Sequence, residues 1–300
     1  VKPITPHLWF DAQAREAAQF YCSLFPDSKV DSIVRLRDTP SGDCDVVSFT
    51  LSGQPFMAIS AGPVFTFNPS ISFLVHFDPA RDERARAHLD AAWASLIDGG
   101  EALMPLDAYP FSERYGWVRD RYGLSWQLML SPPGTPARPR IMPALMFTGE
   151  VYGKAEEAMT FYCSVFDDSG VGQVARYTED TANDRAGTVM FADFHLGDTW
   201  FAVMDSGYSH GFAFNEAISL LVTCRDQAEI DRYWAELSTV PEAEQCGWCK
   251  DRFGLSWQIS PQVLDQLMTS GDQALVDRLT RSFLDMHKLD VAKIEAAVRG

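Results

Sequence analysis

A thirteen-residue stretch that occurs twice constrains this chain more than any other feature. GWVRDRYGLSWQL spans residues 116–128, and GWCKDRFGLSWQI spans residues 247–259. Nine of the thirteen positions are identical, and three of the four differences keep the charge or the apolar character. Such self-similarity is the signature of a repeated structural unit. The chain is therefore a tandem duplication, and the same local structure is required twice.

The repeated stretch is typical of a β-hairpin. Trp117 and Val118 belong to a β-prone run, Asp120 to Gly123 form a tight turn, and Leu124 to Leu130 form a second run. Short acidic side chains commonly hold such turns by accepting backbone hydrogen bonds. We therefore expect Asp120 and Asp251 to fix the turns and the two tryptophans at 126 and 257 to lie in the core, rather than to contact a ligand directly.

Hydrophobic periodicity predicts the pattern βαβββ twice within the first copy. Strands are expected at 4–10, 30–36, 46–51, 56–60 and 71–77 and around Met104, Trp117 and Met129, with helices at 12–25 and 81–97. The predicted fold class is α+β, with each copy forming one curved mixed sheet, or cup, from its two βαβββ units. The predicted boundaries are a first domain at 1–133, a proline-rich linker at 134–140, a second domain at 141–260 and a helical extension at 261–300.

The second copy repeats the first nearly from end to end. IMPALMF at 141–147 matches ITPHLWF at 4–10, and the FYCS helices and the FN segments before the fifth strands also match. Helical patterns at 261–269, 272–286 and 291–298 have no counterpart in copy one. Helices added to a sheet domain usually cover a sheet edge or join an oligomer interface. We expect one of these two roles, which leaves a homo-oligomer open.

Composition limits the classes of partner. The 300 residues are 46% hydrophobic and 12% aromatic, which is enough for two cores. A formal net charge of −16 opposes binding to nucleic acid, whose phosphates attract basic patches. No apolar run approaches the roughly 20 residues of a membrane span, and the start, VKPITPHLWF, has no secretory signal pattern. We therefore expect a cytoplasmic protein without nucleic-acid or membrane partners. Cys246 and Cys249 have redox-motif spacing but precede a strand rather than a helix, so we expect inert thiols.

Three segments carry a resemblance to a known family. LWFDAQAREAAQFYCSLFPDS, FNPSISFLV and CGWCKDRFGLSWQI resemble the PhnB-like family, also called the 3-demethylubiquinone-9 3-methyltransferase domain, of the vicinal oxygen chelate superfamily. The superfamily also contains glyoxalases, bleomycin-resistance proteins and extradiol dioxygenases. Many of its members hold a divalent metal with His, Glu or Gln side chains inside the cup. The resemblance covers both copies and implies a cup-shaped cavity in each.

The positions that the resemblance implies for metal ligands hold poor ligands here. In copy one they are Thr5 or His7, Met57 to Ile59, Ser72 and Gln127, and in copy two they are Met142 or Ala144, Ala202 to Met204, Ser219 and Gln258. A catalytic divalent ion needs about three good donors. We therefore predict no standard metal site and no cofactor. We also expect no methyl transfer, because the chain lacks the glycine-rich loop and the doubly wound sheet that usually bind the sulfonium cofactor.

Strand parity predicts which side chains face the cups. The candidate ligand-binding residues are His7, Trp9, Asn68, Ser72, His76, Gln127, Asn215, Ser219 and Gln258. His7 and His76 share the cup-facing parity of copy one and could bind a metal or ligand together, or be ordinary hydrogen-bonded histidines. Asn68 and Asn215 could equally cap turns. Because copy two has Ala144 and Thr223 at the histidine positions, we expect copy one to bind a polar ligand and copy two to be structural.

Three functions remain open from the sequence. The first is a small-molecule-binding protein of the glyoxalase and bleomycin-resistance type without a standard metal site. The second is an enzyme with a non-standard metal or a metal-free mechanism, for which His7, His76, Ser72 and Ser219 are the visible candidates. The third is a degenerate assembly scaffold. Whether the chain is an enzyme stays open, because no complete catalytic set is visible.

Overall fold

The computed structural model describes residues 3–299, in which the chain forms four successive modules, and three of them have the predicted order. The first three modules are βαβββ units, and the fourth is a shorter βαββ unit. Module 1 contains β1 (Thr5–Phe10), α1 (Ala14–Leu24), β2 (Lys29–Thr39), β3 (Gly42–Leu51) and β4 (Gln54–Ser60). Module 2 contains β5 (Ile71–Phe77), α2 (Ala85–Ile97), β6 (Glu101–Tyr109), β7 (Ser112–Arg119) and β8 (Ser125–Leu130).

The second copy contributes modules 3 and 4 and the C-terminal helices. Module 3 contains β9 (Ile141–Phe147), α3 (Ala155–Val165), β10 (Gly170–Arg176), β11 (Val189–Leu196) and β12 (Thr199–Asp205). Module 4 contains β13 (Ile218–Cys224), α4 (Gln227–Leu237), β14 (Trp248–Lys250) and β15 (Ser256–Pro261). A 3-10 turn, Pro241–Ala243, lies where module 2 has β6. The chain continues through α5 (Gln262–Met268), α6 (Gln273–Phe283) and α7 (Val291–Arg299).

Each sheet combines one module from each copy. One sheet has the order β14-β15-β13-β1-β4-β3-β2, and the other has the order β10-β11-β12-β9-β5-β8-β7-β6. The chain accordingly divides into unit 1, which is built on modules 1 and 4, and unit 2, which is built on modules 2 and 3. The prediction of a tandem α+β fold with mixed sheets is confirmed. The prediction that each copy closes its own cup is wrong.

Two antiparallel strand pairings at the centres of the sheets join modules from different copies. Strand β1 pairs with β13, with Thr5 opposite Leu221 and His7 opposite Ser219. Strand β5 pairs with β9, with Ser72 opposite Ala144. The first strands of the two copies have the same alternation, and so do the fifth strands. Pairing across copies therefore buries the same faces as pairing within a copy, which is why the pattern could not distinguish the two arrangements.

The repeated hairpin has the predicted turn in both units. The Asp120 carboxylate accepts hydrogen bonds from the backbone N–H groups of Tyr122 and Leu124, at 2.8 and 3.0 Å, and from Trp126 Nε1 at 2.9 Å. Asp251 makes the same three bonds, to Phe253, Leu255 and Trp257. Gly123 and Gly254 have φ near +88° and +86°, a conformation that glycine adopts without steric cost. The predicted structural role of the repeated aspartates and tryptophans is confirmed.

Helices pack against both sheets. In unit 2, α2 contacts β5, β7 and β8, and α3 contacts β10 to β12; in unit 1, α4 contacts β13 to β15. The opposite face of each sheet is the concave face. Within the described part of the chain, no helix combines the length and the apolar character needed to cross a membrane.

The C-terminal helices lie on the concave face of unit 1. Val276 of α6 packs with Leu36, Cys44, Ile59 and Ala61 of the first module, and these four residues also line the cup. The helices have their own apolar core around Leu279 and Ile294. The expectation that this extension covers a sheet edge is confirmed, because α6 contacts the edge strand β2 and Gln273 Nε2 donates to the backbone carbonyl of Arg35 on that strand. The helices also form one wall of the cup, a role that was not expected.

The sheet order predicts how fragments will behave. Residues 1–133 alone contain both β1 and β5 but lack β13 and β9, so two central strands lose a hydrogen-bonded neighbour. We expect this fragment to be unfolded or self-associated, and to form a folded 1:1 complex when mixed with residues 134–300. Light scattering after gel filtration, with circular dichroism, measures both states. A folded monomer of residues 1–133 would contradict the exchanged sheets.

Candidate functional site

Unit 1 contains a partly open cavity of about 990 Å³. Its lining comes from the concave faces of β1 to β4 and of β13 to β15, from the 3-10 turn at 241–243 and from the C-terminal helices. Small-molecule sites in proteins are mostly apolar clefts of about 300–1,000 Å³ with a few placed polar groups. The unit 1 cavity has this size, and the C-terminal helices enclose part of it.

The polar floor of the cavity begins on β1. Thr5, His7 and Trp9 all line it, as strand parity predicted. The Trp9 indole donates to the backbone carbonyl of Gly62 at 2.8 Å and meets Phe65 edge-on. The His7 ring is buried and lies edge-on to Trp248, with 5.6 Å between the ring centroids. Burial lowers the pKa of His7 to about 4, so this imidazole is neutral at pH 7.

Gln258 of β15 adds an amide to the same floor. Its Nε2 donates to Ser219 Oγ at 2.7 Å, and Ser219 itself is fully buried beneath it. Gln258 is 7% exposed and lines the cavity. The cavity thus joins His7 and Trp9 from copy one to Gln258 from copy two.

The walls of the cavity are apolar, and its charged groups are all acidic. Apolar walls come from β2 to β4 and from the C-terminal helices, and include Val34, Leu36, Met57, Leu264, Met268 and Phe283. The carboxylates in the lining are Asp31, Glu216, Glu242, Glu244 and Asp265, whereas the described lining contains no Lys or Arg. Such an environment disfavours an anionic ligand.

The concave face of unit 2 is filled by the linker. Arg138 forms two hydrogen bonds with the Asp193 carboxylate, at 2.8 and 3.1 Å, and its guanidinium lies 3.9 Å from the centroid of a Trp200 ring. Trp200 packs on an apolar cluster that contains Leu74, Met142, Ala144 and Ala202. A Cβ on Gly172 would lie 1.9 Å from Asp193 Oδ1, so the absence of a side chain there makes room for the pair.

The other predicted residues of copy one lie in unit 2. Burial lowers the pKa of His76 to about 4, its Nδ1 lies 3.4 Å from Ser131 Oγ, and its Nε2 is buried without a hydrogen-bond partner in residues 3–299. The adjoining pocket has room for only about 10 Å³. Gln127 donates to Ser72 Oγ at 2.8 Å and accepts from Tyr115 Oη at 2.7 Å. Gln127, Ser72 and Tyr115 are thus engaged with each other rather than with an open cavity.

Asn68 and Asn215 hold turns. Asn68 Oδ1 accepts from the backbone of Ser70, and its Nδ2 donates to the carbonyl of Ala213. Asn215 makes the matching bonds to Ala217 and to the carbonyl of Thr66. Neither asparagine is among the residues that line the unit 1 cavity.

The structure changes how the predicted site residues combine. His7 lies in unit 1 and His76 in unit 2, so the two histidines do not share a cup. The expected division into a binding copy and a structural copy does not follow the boundaries of the cavity, whose lining includes His7 and Trp9 from copy one and Gln258 from copy two. Sequence reasoning missed Arg138, Asp193 and the C-terminal wall. Arg138 is one of two arginines in a proline-rich segment that predicted only a linker, and the sequence of that segment gives no signal for where their side chains point.

The donors around His7 do not match the metal site that the superfamily resemblance implies. In register with His7 stand Met57 on β4 and Ser219 on β13, and Gln258 lies on the next strand. One imidazole, a thioether, a hydroxyl and an amide are a poor set for a catalytic divalent ion. Residues 3–299 contain no group of three or more His, Cys, Asp or Glu placed to hold a metal ion.

Comparisons with known proteins agree with the repeat. A family model described as 3-demethylubiquinone-9 3-methyltransferase matches residues 2–129 and 139–260. A search of curated proteins found no match. A PhnB protein from Bacillus cereus, described as a 3-demethylubiquinone-9 3-methyltransferase, is 39% identical over 43% of this chain and 98% of its own, with a TM-score of 0.38. Glyoxalase I from Zea mays is 11% identical over 89% of this chain and 96% of its own, with a TM-score of 0.52, which shows a shared fold.

The buried ion pair between Arg138 and Asp193 in unit 2 predicts that removing one partner will strongly destabilise the protein. Arg138 and Asp193 are 12% and 4% exposed, and removing one partner of a buried ion pair leaves an uncompensated charge. We expect Arg138→Ala to lower the free energy of unfolding by about 3–5 kcal/mol. Urea denaturation measures the change. Arg176→Ala is the control, because Arg176 pairs with Glu156 on the surface and its loss should cost far less. If Arg138→Ala and Arg176→Ala lost the same free energy of unfolding, the buried role of the Arg138–Asp193 pair would be contradicted.

The buried histidines predict an acid-sensitive stability. An unfolded imidazole takes up a proton near pH 6.5, whereas folded His7 does so only near pH 4. The unfolded state therefore binds more protons between these values, and stability falls as the pH is lowered through them. From pH 7 to pH 5, wild type should lose about 2 kcal/mol more than His7→Gln. Denaturation at both pH values tests this, with the exposed His287→Gln as control. Parallel losses in wild type and His7→Gln would show that His7 is not buried as a neutral ring.

Proposed function

The chain belongs to the 3-demethylubiquinone-9 3-methyltransferase family, whose model matches it twice, and from this premise we propose that unit 1 is a binding site for a small, uncharged and largely apolar molecule. The observation that carries the proposal is the cavity of about 990 Å³ over β1, β4, β13 and β15. A ligand there would contact apolar walls and a floor with few polar groups, the combination that characterises small-molecule sites.

The polar groups of the floor favour a neutral ligand. His7 is uncharged at pH 7 because burial lowers its pKa to about 4, and Gln258 and Thr5 are uncharged side chains. The charged side chains in the lining are carboxylates, which would repel an anion. A neutral molecule loses less hydration on entering an apolar cavity than an ion does, so it meets the lowest cost here.

The same imidazole supports binding over acid–base catalysis. A general base works best when its pKa lies near the operating pH, whereas the pKa of His7 is about 4. Ser219, the serine candidate in this unit, is bonded to Gln258 and has no access to solvent. The scaffold hypothesis leaves a cavity of this size without a role. Binding therefore accounts for more of the site than either alternative.

The proposal predicts that filling the cavity abolishes binding. Nile red is a neutral apolar dye whose fluorescence rises in apolar surroundings, and it should bind wild type. Thr223 lines the cavity, so the larger indole of Thr223→Trp should weaken dye binding by roughly tenfold or more, about 1.4 kcal/mol.

The matched control is Met190→Trp, which adds an indole to an exposed strand position of unit 2. It should leave dye affinity within about twofold of wild type. Melting temperatures confirm that both variants fold. If Thr223→Trp folds and binds the dye as wild type does, unit 1 is not the binding site.

A further inference from the structure

The two units contain the same glutamine–serine pair, and they differ in what completes it. In unit 2, Gln127 donates to Ser72 Oγ at 2.8 Å, and its Oε1 accepts from the phenol hydroxyl of Tyr115 at 2.7 Å. Burial raises the pKa of Tyr115, so the phenol keeps its proton and remains a donor. The phenol ring lies against Tyr109 and Phe111, with centroids 5.5 and 4.9 Å away. Unit 2 thus shows a phenol bound to a glutamine acceptor on a concave sheet face.

Unit 1 has the pair without the phenol. Gln258 Nε2 donates to Ser219 Oγ at 2.7 Å, as Gln127 does to Ser72. The repeat offset of 131 residues places Cys246 where Tyr115 stands. Within residues 3–299, the bond to Ser219 is the one protein hydrogen bond of the Gln258 amide. The acceptor Oε1 of a side chain that is 93% buried therefore lacks the donor that its counterpart has.

The local backbone explains why no side chain replaces the phenol. Cys246 has φ near +52°, and its thiol contacts the carbonyl of Leu284 at 3.4 Å. Its backbone N–H donates to the carbonyl of Met286 at 2.7 Å. Strand β14 begins only at Trp248, and a 3-10 turn stands in place of the β6 strand that carries Tyr109. The C-terminal segment thereby holds the chain before β14. Cys246, which stands where Tyr115 stands in unit 2, lines the cavity.

We infer that the unit 1 cavity selects a neutral aromatic molecule with a hydroxyl donor, a phenol, whose O–H hydrogen-bonds to Gln258 Oε1 as Tyr115 does to Gln127. This inference rests on the proposed binding function and names its ligand class. A phenol with a pKa near 10 is neutral at pH 7, as the acidic lining requires. Its ring would meet the indoles of Trp9 and Trp248, which line the same cavity, and aromatic pairs add to simple area burial.

The test compares two probes that differ in one donor. 4-Phenylphenol has the hydroxyl, and 4-methoxybiphenyl has the same rings with a methyl ether that cannot donate. Calorimetry at pH 7 should give wild type at least about tenfold tighter binding for the phenol, because the ether leaves a buried acceptor without a donor. In Gln258→Met the preference should fall to within about twofold, while binding of the ether is kept.

Two further variants complete the design. Gln127→Met makes the same change in unit 2 and should leave the preference of wild type intact. Gln258→Asn keeps an amide, but its acceptor lies one methylene further from the cavity. It should reduce the preference for the phenol, and it replaces Gln258→Met in the test if that variant does not fold.

The outcomes separate the two proposals. Equal affinity of wild type for the phenol and the ether would overturn this inference and leave the binding function standing. A preference that stays at the wild-type level in Gln258→Met, or in Gln258→Asn if Gln258→Met does not fold, would also overturn it. If neither probe nor Nile red binds wild type, the binding function itself fails.

Discussion

The main-chain pairing of β1 with β13 and of β5 with β9 is the interaction on which the rest of the structure depends. These strands lie at the centres of the two sheets, and buried backbone groups there must find hydrogen-bond partners. Each pairing joins strands from different copies, so neither copy supplies a complete sheet. The site inherits this arrangement, because the floor of the cavity places His7 of one copy in the same cup as Gln258 of the other.

The two units share the same hairpin turns, whereas the side chains on their concave faces differ. Asp120 and Asp251 make the same bonds to turn and tryptophan, because a buried carboxylate needs all of its partners whatever the cup holds. The concave faces carry no such requirement. In unit 2, Arg138 and Asp193 fill the space and neutralise each other. In unit 1, the residues of the concave face line a cavity. One unit is thus completed by its own side chains, and the other is completed by a ligand under the proposed function.

Local structure could be predicted from the sequence, and long-range pairing could not. Parity along β1 correctly placed Thr5, His7 and Trp9 on one face, since successive side chains of a strand alternate. The choice of partner strand left no trace, because the two copies present the same alternation to each other as to themselves. Arg138 was missed for another reason: loop segments have no periodicity, so nothing in the pattern shows where a loop side chain points. The acceptor left open at Gln258 emerged only when the two units were compared.

The C-terminal helices explain how a cavity of this size persists without collapse. Their apolar residues, Leu264, Leu275, Leu279, Met286, Leu289 and Ile294, form a cluster of their own, and Val276 fixes them to the sheet. The wall is therefore stabilised by contacts that a ligand does not supply. A ligand entering a wall that is already ordered loses less of its binding energy to ordering the protein. Because the connection between α6 and α7 also holds Cys246 through the carbonyls of Leu284 and Met286, the extension that lines the cavity also fixes the backbone at the position that Tyr115 occupies in unit 2.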